Sequence, residues 1–223
     1  MKLNDIIITE DGSHSVYSVK FNATYHSQKG AVQESRVVFI NTGLAALKNL
    51  GKNFIRIFEM GFGTGLNVHL SYIYAEQNRI SIDYTTIEAY PLDKEVWSKL
   101  NYGQSLGQPK LFYSWHDLPW DNKVIVSDNF SFNKIHQKLE EFTSVEKYDL
   151  IYFDAFGPGT QPNLWVDEIM AKMHQYLNTD GILVTYCASG EFKRSLKRNH
   201  FSIESLPGPP GKREIIRATA LKI

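Results

Sequence analysis

Carboxylates and glycines recur in this sequence at positions where they could bind a nucleotide-like ligand. Four acidic residues, Glu59, Glu88, Asp128 and Asp154, each fall at the end of a short apolar run that predicts a buried strand. In an open sheet of parallel strands, ligands bind beyond the carboxyl ends of the strands. One carboxylate at such an end is often only a helix cap, but four of them next to a glycine loop predict a ligand site.

The glycine loop lies in residues 54–67, FIRIFEMGFGTGLN. An apolar strand precedes Gly61, Gly63 and Gly65, and an apolar helical face follows them. This order lets the backbone approach a ligand while the helix N-terminus directs N–H groups at it. The dinucleotide fingerprint G-x-G-x-x-G/A would require glycine or alanine where Leu66 stands. The alternative is a glycine-rich turn without chemical meaning.

The spacing E-x-G-x-G-x-G, which starts at Glu59, resembles motif I of class I S-adenosylmethionine (SAM) methyltransferases. The resemblance implies that the acidic residue and the loop hold the amino-acid end of SAM. We therefore expect a cofactor site formed by Glu59, Gly61, Phe62, Gly63, Thr64, Gly65 and Asn67. Glu88, about 20 residues beyond the loop, is placed to accept hydrogen bonds from both ribose hydroxyls. Asp128 is expected beside the adenine, with a helix N-cap as its alternative role.

The elements that must position these residues alternate as in a doubly wound α/β sheet. Apolar runs predict strands at 82–89, 123–127, 148–153 and 181–187, and a closing hairpin at 201–206 and 214–221. Helices are predicted at 92–100 and over Phe132 to Phe142. An alternating strand is predicted at 14–25, and the ambiguous segment 31–40 favours a helix. The fold class predicted is a mostly parallel, seven-stranded class I methyltransferase sheet with an antiparallel last strand and a small β-rich N-terminal appendage.

Length and composition set the limits of this prediction. The 223 residues fit one large α/β domain, which we divide into an N-terminal appendage (1–45) and a methyltransferase unit (46–223). No apolar run approaches the roughly 20 residues of a membrane span, and the N-terminus does not resemble a signal peptide. The single cysteine, Cys187, excludes an internal disulfide and a cysteine-rich zinc site, and no metal is expected. A cytoplasmic protein is the expectation.

A second motif surrounds Asp154, in residues 153–165, FDAFGPGTQPNLW. The strand 148–153 delivers Asp154 to the edge where the reacting group of the cofactor is expected, and a loop rich in proline and glycine follows. A purely structural role, with Asp154 capping the loop and Phe156 in the core, is the alternative.

Several segments together resemble a known family. In chain order they are SVYSVKFNATYHS, GAVQESRVVFI, EMGFGTGLN, FDAFGPGTQPNLW, TYCASGEFKRSL and GPPGKREIIRA. They are similar to the methyltransferase domain family of the bifunctional tRNA 5-methylaminomethyl-2-thiouridine biosynthesis protein (MnmC), from about Ser13 onward. The block around Asp154 is specific to that family, whereas the glycine loop is shared by the superfamily. Because a second glycine fingerprint is missing, the FAD-dependent oxidase activity of the bifunctional form is not carried over.

This resemblance implies transfer of a methyl group from SAM to the primary amine of 5-aminomethyl-(2-thio)uridine at the tRNA wobble position. Asp154 would recruit and aim the amine, Tyr25 and Phe156 would stack on the base, and Lys212 and Arg213 would contact phosphates. The partners implied are tRNA and a separate FAD-dependent oxidase or another upstream wobble-uridine enzyme.

The charge distribution agrees with a tRNA partner. The chain has no net charge, but from Lys193 onward eight basic residues face two acidic ones, a net charge of +6. A solvated surface is the commoner origin of such a segment. Two other functions remain open: a SAM-dependent N-methyltransferase or aminopropyltransferase-like enzyme for a small-molecule amine, and a non-catalytic tRNA-binding module.

Overall fold

A small antiparallel sheet begins the part of the chain that the computed structural model describes, residues 4–222. Strand β1 (Asp5–Ile8) pairs with β2 (His14–Ser18), which pairs with β3 (Ala23–Thr24). The single strand predicted over 14–25 is therefore interrupted, by a turn in which Asn22 has a φ of +49°. The turn reverses the chain toward the glycine loop.

A helical segment follows and lies on the central sheet. It consists of α1 (Ala31–Ser35), a π-helical stretch (Arg36–Leu44) and α2 (Ala45–Asn49), so the helix predicted for 31–40 is confirmed. A Cβ added to Gly43 would lie 3.1 Å from Leu150 and 3.2 Å from Val184, which shows how closely this segment approaches the sheet. The division into 1–45 and 46–223 falls inside the segment and stays a prediction.

The central sheet has eight strands, in the spatial order β10-β11-β9-β8-β4-β5-β7-β6. Their bounds are β4 (Phe54–Met60), β5 (Ser81–Glu88), β6 (Val124–Ser127), β7 (Phe130–His136), β8 (Tyr148–Phe153), β9 (Leu177–Thr185), β10 (Phe201–Pro207) and β11 (Glu214–Ala220). Five neighbouring strands in this order, β9, β8, β4, β5 and β7, are parallel, and β11 is antiparallel to β9. This confirms the class I methyltransferase fold with its antiparallel last strand, to which β6 adds one edge strand.

Helices cover both faces of the sheet. They are α3 (Leu66–Asn78), α4 (Lys94–Trp97), α5 (Tyr102–Leu106), α6 (Pro109–Asp117), α7 (Asp167–Tyr176) and α8 (Gly190–Arg198). Fully buried Val68 belongs to the core under α3, while Met170 and Leu196 belong to the core on the other face. Within residues 4–222 every helix is too short or too polar to cross a bilayer.

The structure confirms the strand predicted at 123–127, which is β6, and corrects the prediction for the residues that follow it. The helix predicted over Phe132 to Phe142 is wrong, because β7 is a strand that pairs in parallel with β5 and in antiparallel with β6. Asp128 lies in the turn between β6 and β7. The next residue, Asn129, accepts a hydrogen bond from the backbone N–H of Ile82, at the amino end of β5. Asp128 is thus about 20 Å of strand away from Glu88, at the edge opposite the one where an adenine contact was predicted.

Candidate active site

A cavity of about 730 Å³ opens at the carboxyl ends of the parallel strands. Its lining includes Met60 at the end of β4, Glu88 at the end of β5, Gln137 after β7 and Asp154 after β8. Ligand pockets have volumes of roughly 300–1,000 Å³, and in sheets of this kind they occur at this edge. The cavity therefore lies at the edge of the sheet where the ligand site was predicted.

The glycine loop between β4 and α3 forms one wall of the cavity. Gly61 has a φ of +94°, and a Cβ there would lie 2.9 Å from the carbonyl oxygen of Asp154. Gly63 has a φ of +49°, and its Cβ would lie 3.1 Å from the Tyr25 ring. Glycine is required at both positions, because a side chain would strain the backbone and push apart the walls that the loop joins.

Two further residues of the predicted loop also line the cavity. The Phe62 ring packs against His116, with the centroids 4.9 Å apart. The Thr64 hydroxyl lies 2.7 Å from Nε2 of His26, a buried residue that follows β3. Burial lowers the pKa of His26 to about 4, so its imidazole is neutral. The N-terminal segment is thereby tied to the cofactor loop.

Glu88 lies where a ribose ligand was predicted. Its Oε2 accepts a hydrogen bond from the Gly63 N–H at 3.0 Å, and its Oε1 accepts one from the Tyr90 N–H at 2.8 Å. Burial raises the pKa of Glu88, and these backbone donors partly offset that effect. Each carboxylate oxygen keeps a second lone pair, so both can still accept from a ribose hydroxyl.

Glu59 lies beneath the loop and does not line the cavity. Its side chain is buried, and Oε2 has no hydrogen-bond partner within residues 4–222. Burial raises the pKa of Glu59 to about 8; the nearby Thr86 hydroxyl lowers it, and the charge of Asp154 raises it further. At neutral pH Glu59 is therefore mainly protonated.

Asp154 projects into the cavity from the end of β8, as predicted. Its Oδ2 accepts a hydrogen bond from Nδ2 of Asn67 at 2.9 Å, which brings two predicted site residues together. Burial raises the pKa of Asp154 to about 8, and the negative charge of Glu34 adds to this effect. The Asn67 hydrogen bond and the positive charge of Lys212 act in the opposite direction.

Glu34 is a cavity residue that the sequence analysis missed. It lies on α1, where its Oε2 accepts a hydrogen bond from the Ser27 N–H at 2.7 Å. Its Oε1 is 3.4 Å from Nζ of Lys212, and its side chain is only 10% exposed. The sequence pattern that could have identified Glu34 is an acidic residue on the same face of a short helix as the small residues Ala31 and Ser35.

The two basic residues predicted to contact phosphates lie in different environments. Lys212 lines the cavity, with its Nζ 4.4 Å from the centre of the Tyr186 ring, whereas Arg213 is exposed. Most other cations of the C-terminal segment have acidic partners: Lys193 with Glu214, Arg194 with Glu191, Arg198 with Asp167, and Arg217 with Glu204. The basic charge of this segment is therefore largely balanced locally.

Aromatic rings surround the mouth of the cavity. Tyr25 and Phe156, both predicted to stack on a base, have ring centroids 5.0 Å apart. Phe21 lies 4.7 Å from Phe156 and 5.6 Å from Tyr90, and the exposed Lys20 places its Nζ over the Tyr90 ring. Phe21 and Tyr90 were not identified from the sequence, because only the folded chain brings them to Phe156.

The site fits SAM in three respects. The glycine loop excludes side chains where backbone must approach a ligand, Glu88 retains acceptor capacity, and Oδ1 of Asn67 is buried without a hydrogen-bond partner in the described chain. Within residues 4–222, no cluster of three His, Cys, Asp or Glu side chains could hold a metal ion.

Comparisons with known proteins agree with this geometry. A family model described as S-adenosyl-L-methionine-dependent methyltransferase matches residues 120–221. The chain is similar to the tRNA 5-methylaminomethyl-2-thiouridine biosynthesis bifunctional protein MnmC of Campylobacter hominis, with 27% identity over 91% of the chain and 31% of the relative. It is 26% identical to the same protein of Aromatoleum aromaticum, over 95% of the chain and 34% of the relative. The chain spans about one third of the length of these relatives.

Solved structures show the same fold. The crystal structure of MNMC2 from Aquifex aeolicus superposes with a TM-score of 0.80 at 21% identity, over 100% of this chain and 72% of the other. Spermidine synthase from Thermotoga maritima superposes with a TM-score of 0.54 at 11% identity, over 100% of this chain and 71% of the other.

Proposed function

We propose that this SAM-dependent methyltransferase, which has the class I fold, methylates the primary amine of 5-aminomethyl-(2-thio)uridine at the tRNA wobble position. The observation that carries the proposal is Asp154, whose carboxylate lies in the cavity beside the glycine loop with its pKa raised to about 8. The names of the similar proteins support the substrate, since they refer to biosynthesis of the methylated product. A separate FAD-dependent oxidase or another wobble-uridine enzyme would supply the amine.

SAM, when bound, supplies a methyl group on an electrophilic sulfonium. The residues that would hold it are those from Gly61 to Thr64 in the loop, together with Asn67 and Glu88, all of which line the cavity. Gly65, also predicted from the sequence, is not in this lining; a Cβ there would lie 3.0 Å from Nε2 of His116. Residues 137–140, at the carboxyl end of β7, line the part of the cavity expected to receive the adenine. They take the place that the sequence analysis gave to Asp128. Glu59 supports the loop from below.

The raised pKa of Asp154 suits proton removal from the acceptor. An alkylamine has a pKa near 10.4, and it must lose a proton before its lone pair can attack a methyl group. An ordinary aspartate, with a pKa near 3.9, would accept that proton at a cost of about 9 kcal/mol. For Asp154, with a pKa of about 8, the cost falls to about 3 kcal/mol. In its ionised form, Asp154 can therefore orient the amine and also accept its proton.

The aromatic rings at the mouth support a nucleoside as the acceptor. Bases in tRNA loops are recognised by unstacking them and packing them against aromatic side chains. Tyr25 and Phe156 pack edge to face in the lining of the cavity that also contains Asp154, and Phe21 and Tyr90 continue this aromatic surface. Each stacked base contributes about 1–3 kcal/mol of binding free energy. The aromatic surface would position the uridine while its aminomethyl group enters the cavity.

The test is methylation of tRNA that carries 5-aminomethyl-uridine, followed by nucleoside mass spectrometry. The wild-type protein with SAM should add one methyl group to that nucleoside. In the Asp154→Asn variant, kcat/KM should fall by roughly 100-fold or more, because positioning and proton transfer are both impaired. Activity of the variant should recover partly at high pH, where more of the amine is already neutral.

Asp128→Asn is the matched control, because it makes the same chemical change at the opposite edge of the sheet. It should methylate at the wild-type rate, and both variants should bind SAM as the wild type does. If Asp154→Asn also methylates at the wild-type rate at neutral pH, Asp154 is a structural residue and the mechanism is wrong. Absence of methylation by the wild-type protein would refute the proposed substrate.

One observation favours a second candidate, a small-molecule amine as acceptor. Two carboxylates, Glu34 and Asp154, line the same cavity and would attract a diamine or polyamine. The same assay decides between the candidates when spermidine or putrescine replaces tRNA. Methylation of the polyamine but not of tRNA would favour the second candidate.

A further inference from the structure

The acceptor end of the cavity contains an ion pair that faces the reacting carboxylate. Lys212 Nζ lies 3.4 Å from Oε1 of Glu34, and Asp154 lines the same cavity. The Glu34 charge raises the pKa of Asp154, and the Lys212 charge lowers it. With its pKa near 8, Asp154 is largely protonated at neutral pH in the free protein, and an ammonium beside it would favour the ionised form. With both carboxylates ionised, the three groups sum to one negative charge. A ligand with one positive charge would neutralise the group.

The surroundings keep Glu34 fixed, whereas Lys212 has room to move. Glu34 is anchored by the Ser27 N–H and is only 10% exposed, while the Lys212 side chain is 27% exposed. Lys212 lies in the turn between β10 and β11, where its own N–H donates to the carbonyl of Pro209 at 2.9 Å. Its ammonium contacts the face of Tyr186 and one oxygen of Glu34, so a second cation can replace it at that oxygen.

We propose that Glu34 and Asp154 together bind the acceptor as an ammonium ion, and that Lys212 is an internal counter-ion which the substrate displaces from Glu34. This inference rests on the proposed amine methylation and names the residue that selects a cationic acceptor. Glu34 holds the ammonium on entry, and Asp154 then accepts one of its protons, which leaves a neutral amine for methyl transfer. A neutral substituent on the uridine could not replace Lys212, because the Glu34 charge would lose its partner.

The ion pair predicts opposite effects for its two members. Glu34→Gln keeps an oxygen that can accept from the Ser27 N–H but removes the charge, so recognition of the ammonium should weaken. Lys212→Met removes the competing cation and leaves both carboxylates to the substrate, so recognition should strengthen. If the pair only stabilised the fold, both variants would weaken binding together.

The experiment measures how much the amine contributes to binding. Two anticodon stem–loop RNAs, one with 5-aminomethyl-uridine and one with unmodified uridine, are titrated into the protein saturated with S-adenosylhomocysteine. The ratio of the two Kd values cancels the phosphate and stacking contacts that the RNAs share. Relative to wild type, Glu34→Gln should lower the preference for the aminomethyl RNA about tenfold or more, and Lys212→Met should raise it.

Glu191→Gln is the matched control, since this glutamate is 67% exposed on α8 and pairs with Arg194 and Arg198 away from the cavity. Binding of S-adenosylhomocysteine to each variant verifies that the cofactor half of the site is folded. An unchanged preference in Glu34→Gln, or a preference in Lys212→Met at or below the wild-type value, would overturn the inference. Neither of these two outcomes would refute the proposed function, as long as the wild-type protein methylates the amine.

Discussion

Replacing Glu59 by glutamine is expected to remove a pH-dependent loss of stability that the wild-type protein has. Glu59 is 1% exposed, its Oε2 has no partner within the described residues, and burial raises its pKa to about 8. Ionising it in the folded protein is unfavourable, whereas in the unfolded chain it ionises freely. Glutamine has nearly the same shape and stays neutral throughout this pH range, so it has no charge to bury.

The magnitude follows from proton linkage. A carboxyl group whose pKa is raised on folding contributes stability that is complete below its unfolded pKa, 4.5 for Glu59, and is lost as the pH rises through the folded value of about 8. Between pH 6.5 and pH 8 the unfolded group is already ionised, while the folded group changes from almost fully protonated to half protonated. The free energy of unfolding should therefore fall by roughly 1.5 kcal/mol across this window because of Glu59 alone.

The assay is urea denaturation of wild-type protein and the Glu59→Gln variant at several pH values from 6.5 to 8. Contributions from buried histidines and from Lys134, whose pKa is lowered to about 8, are present in both proteins and cancel in the difference. Asp154, whose pKa is also about 8, interacts with Glu59 by charge, so the difference includes this coupling. The variant should gain roughly 1.5 kcal/mol relative to wild type between the two ends of the window. A difference that does not change with pH would show that Glu59 does not titrate there, and would refute this account.

SAM binding by the same variant separates support of the loop from direct contact. Because Glu59 does not line the cavity, Glu59→Gln should bind SAM within a few-fold of wild type. Glu88→Gln is the comparison, since Glu88 accepts from the Gly63 N–H and lines the cavity. The affinity of Glu88→Gln for SAM should fall about tenfold or more, because the variant loses a charge-assisted hydrogen bond. A large loss in Glu59→Gln would instead assign Glu59 a direct role in holding the cofactor.

Two further predictions concern the glycine loop and the tRNA surface. Gly63→Val should reduce the SAM affinity measured by calorimetry at least tenfold, because the new Cβ would press on Tyr25. Gly51→Val is the control, since Gly51 also has a positive φ but has open space around it. This variant should lose stability while its SAM affinity stays unchanged. Equal SAM affinity in the two variants would contradict this reasoning. Lys197 and Arg213 are both exposed, and neither has an acidic partner within residues 4–222. Replacing both by alanine should weaken tRNA binding and reduce the slope of the logarithm of the binding constant against the logarithm of the salt concentration by about 1–2. An unchanged slope would show that these two side chains are solvated and do not contact tRNA phosphates.

The cofactor half of the fold was predictable because its signals are local. Strand β4, the loop and helix α3 are adjacent in sequence, and the positive φ values at Gly61 and Gly63 follow from the glycine spacing. The strand before Asp154 was predicted with the bounds that it has, because its residues are buried on both faces and all but Asp149 are aliphatic or aromatic.

The prediction failed where a charged side chain is buried. In β7 the buried positions alternate as Phe130, Phe132 and Lys134, but a lysine at the third position hides the two-residue period. Lys134 is buried because its Nζ donates to the carbonyl oxygens of Trp115 and His116, at the end of α6. Those acceptors are nearly 20 positions away in sequence, so no local pattern reveals them.

Part of the acceptor half of the site was missed for a related reason. Glu34 acquires its role from Lys212, which lies nearly a full chain length away, and Phe21 meets Phe156 only after the N-terminal segment packs over the cavity. From the sequence, Lys212 had the features of a phosphate contact on an exposed turn. Its position inside the cavity depends on the docking of the β10–β11 hairpin against β9.

This arrangement has a consequence for the order in which the protein matures during synthesis. Most of the cofactor half comes from one continuous stretch, residues 54–154, whereas the Glu34–Lys212 pair joins a helix made early to a hairpin made late. A growing chain therefore completes the surface for SAM before the pocket for its acceptor exists. Ribosome-bound chains that end before residue 212 would lack the strand that pairs with β9 and the Lys212 side of the cavity, so the acceptor pocket is complete only with the last hairpin.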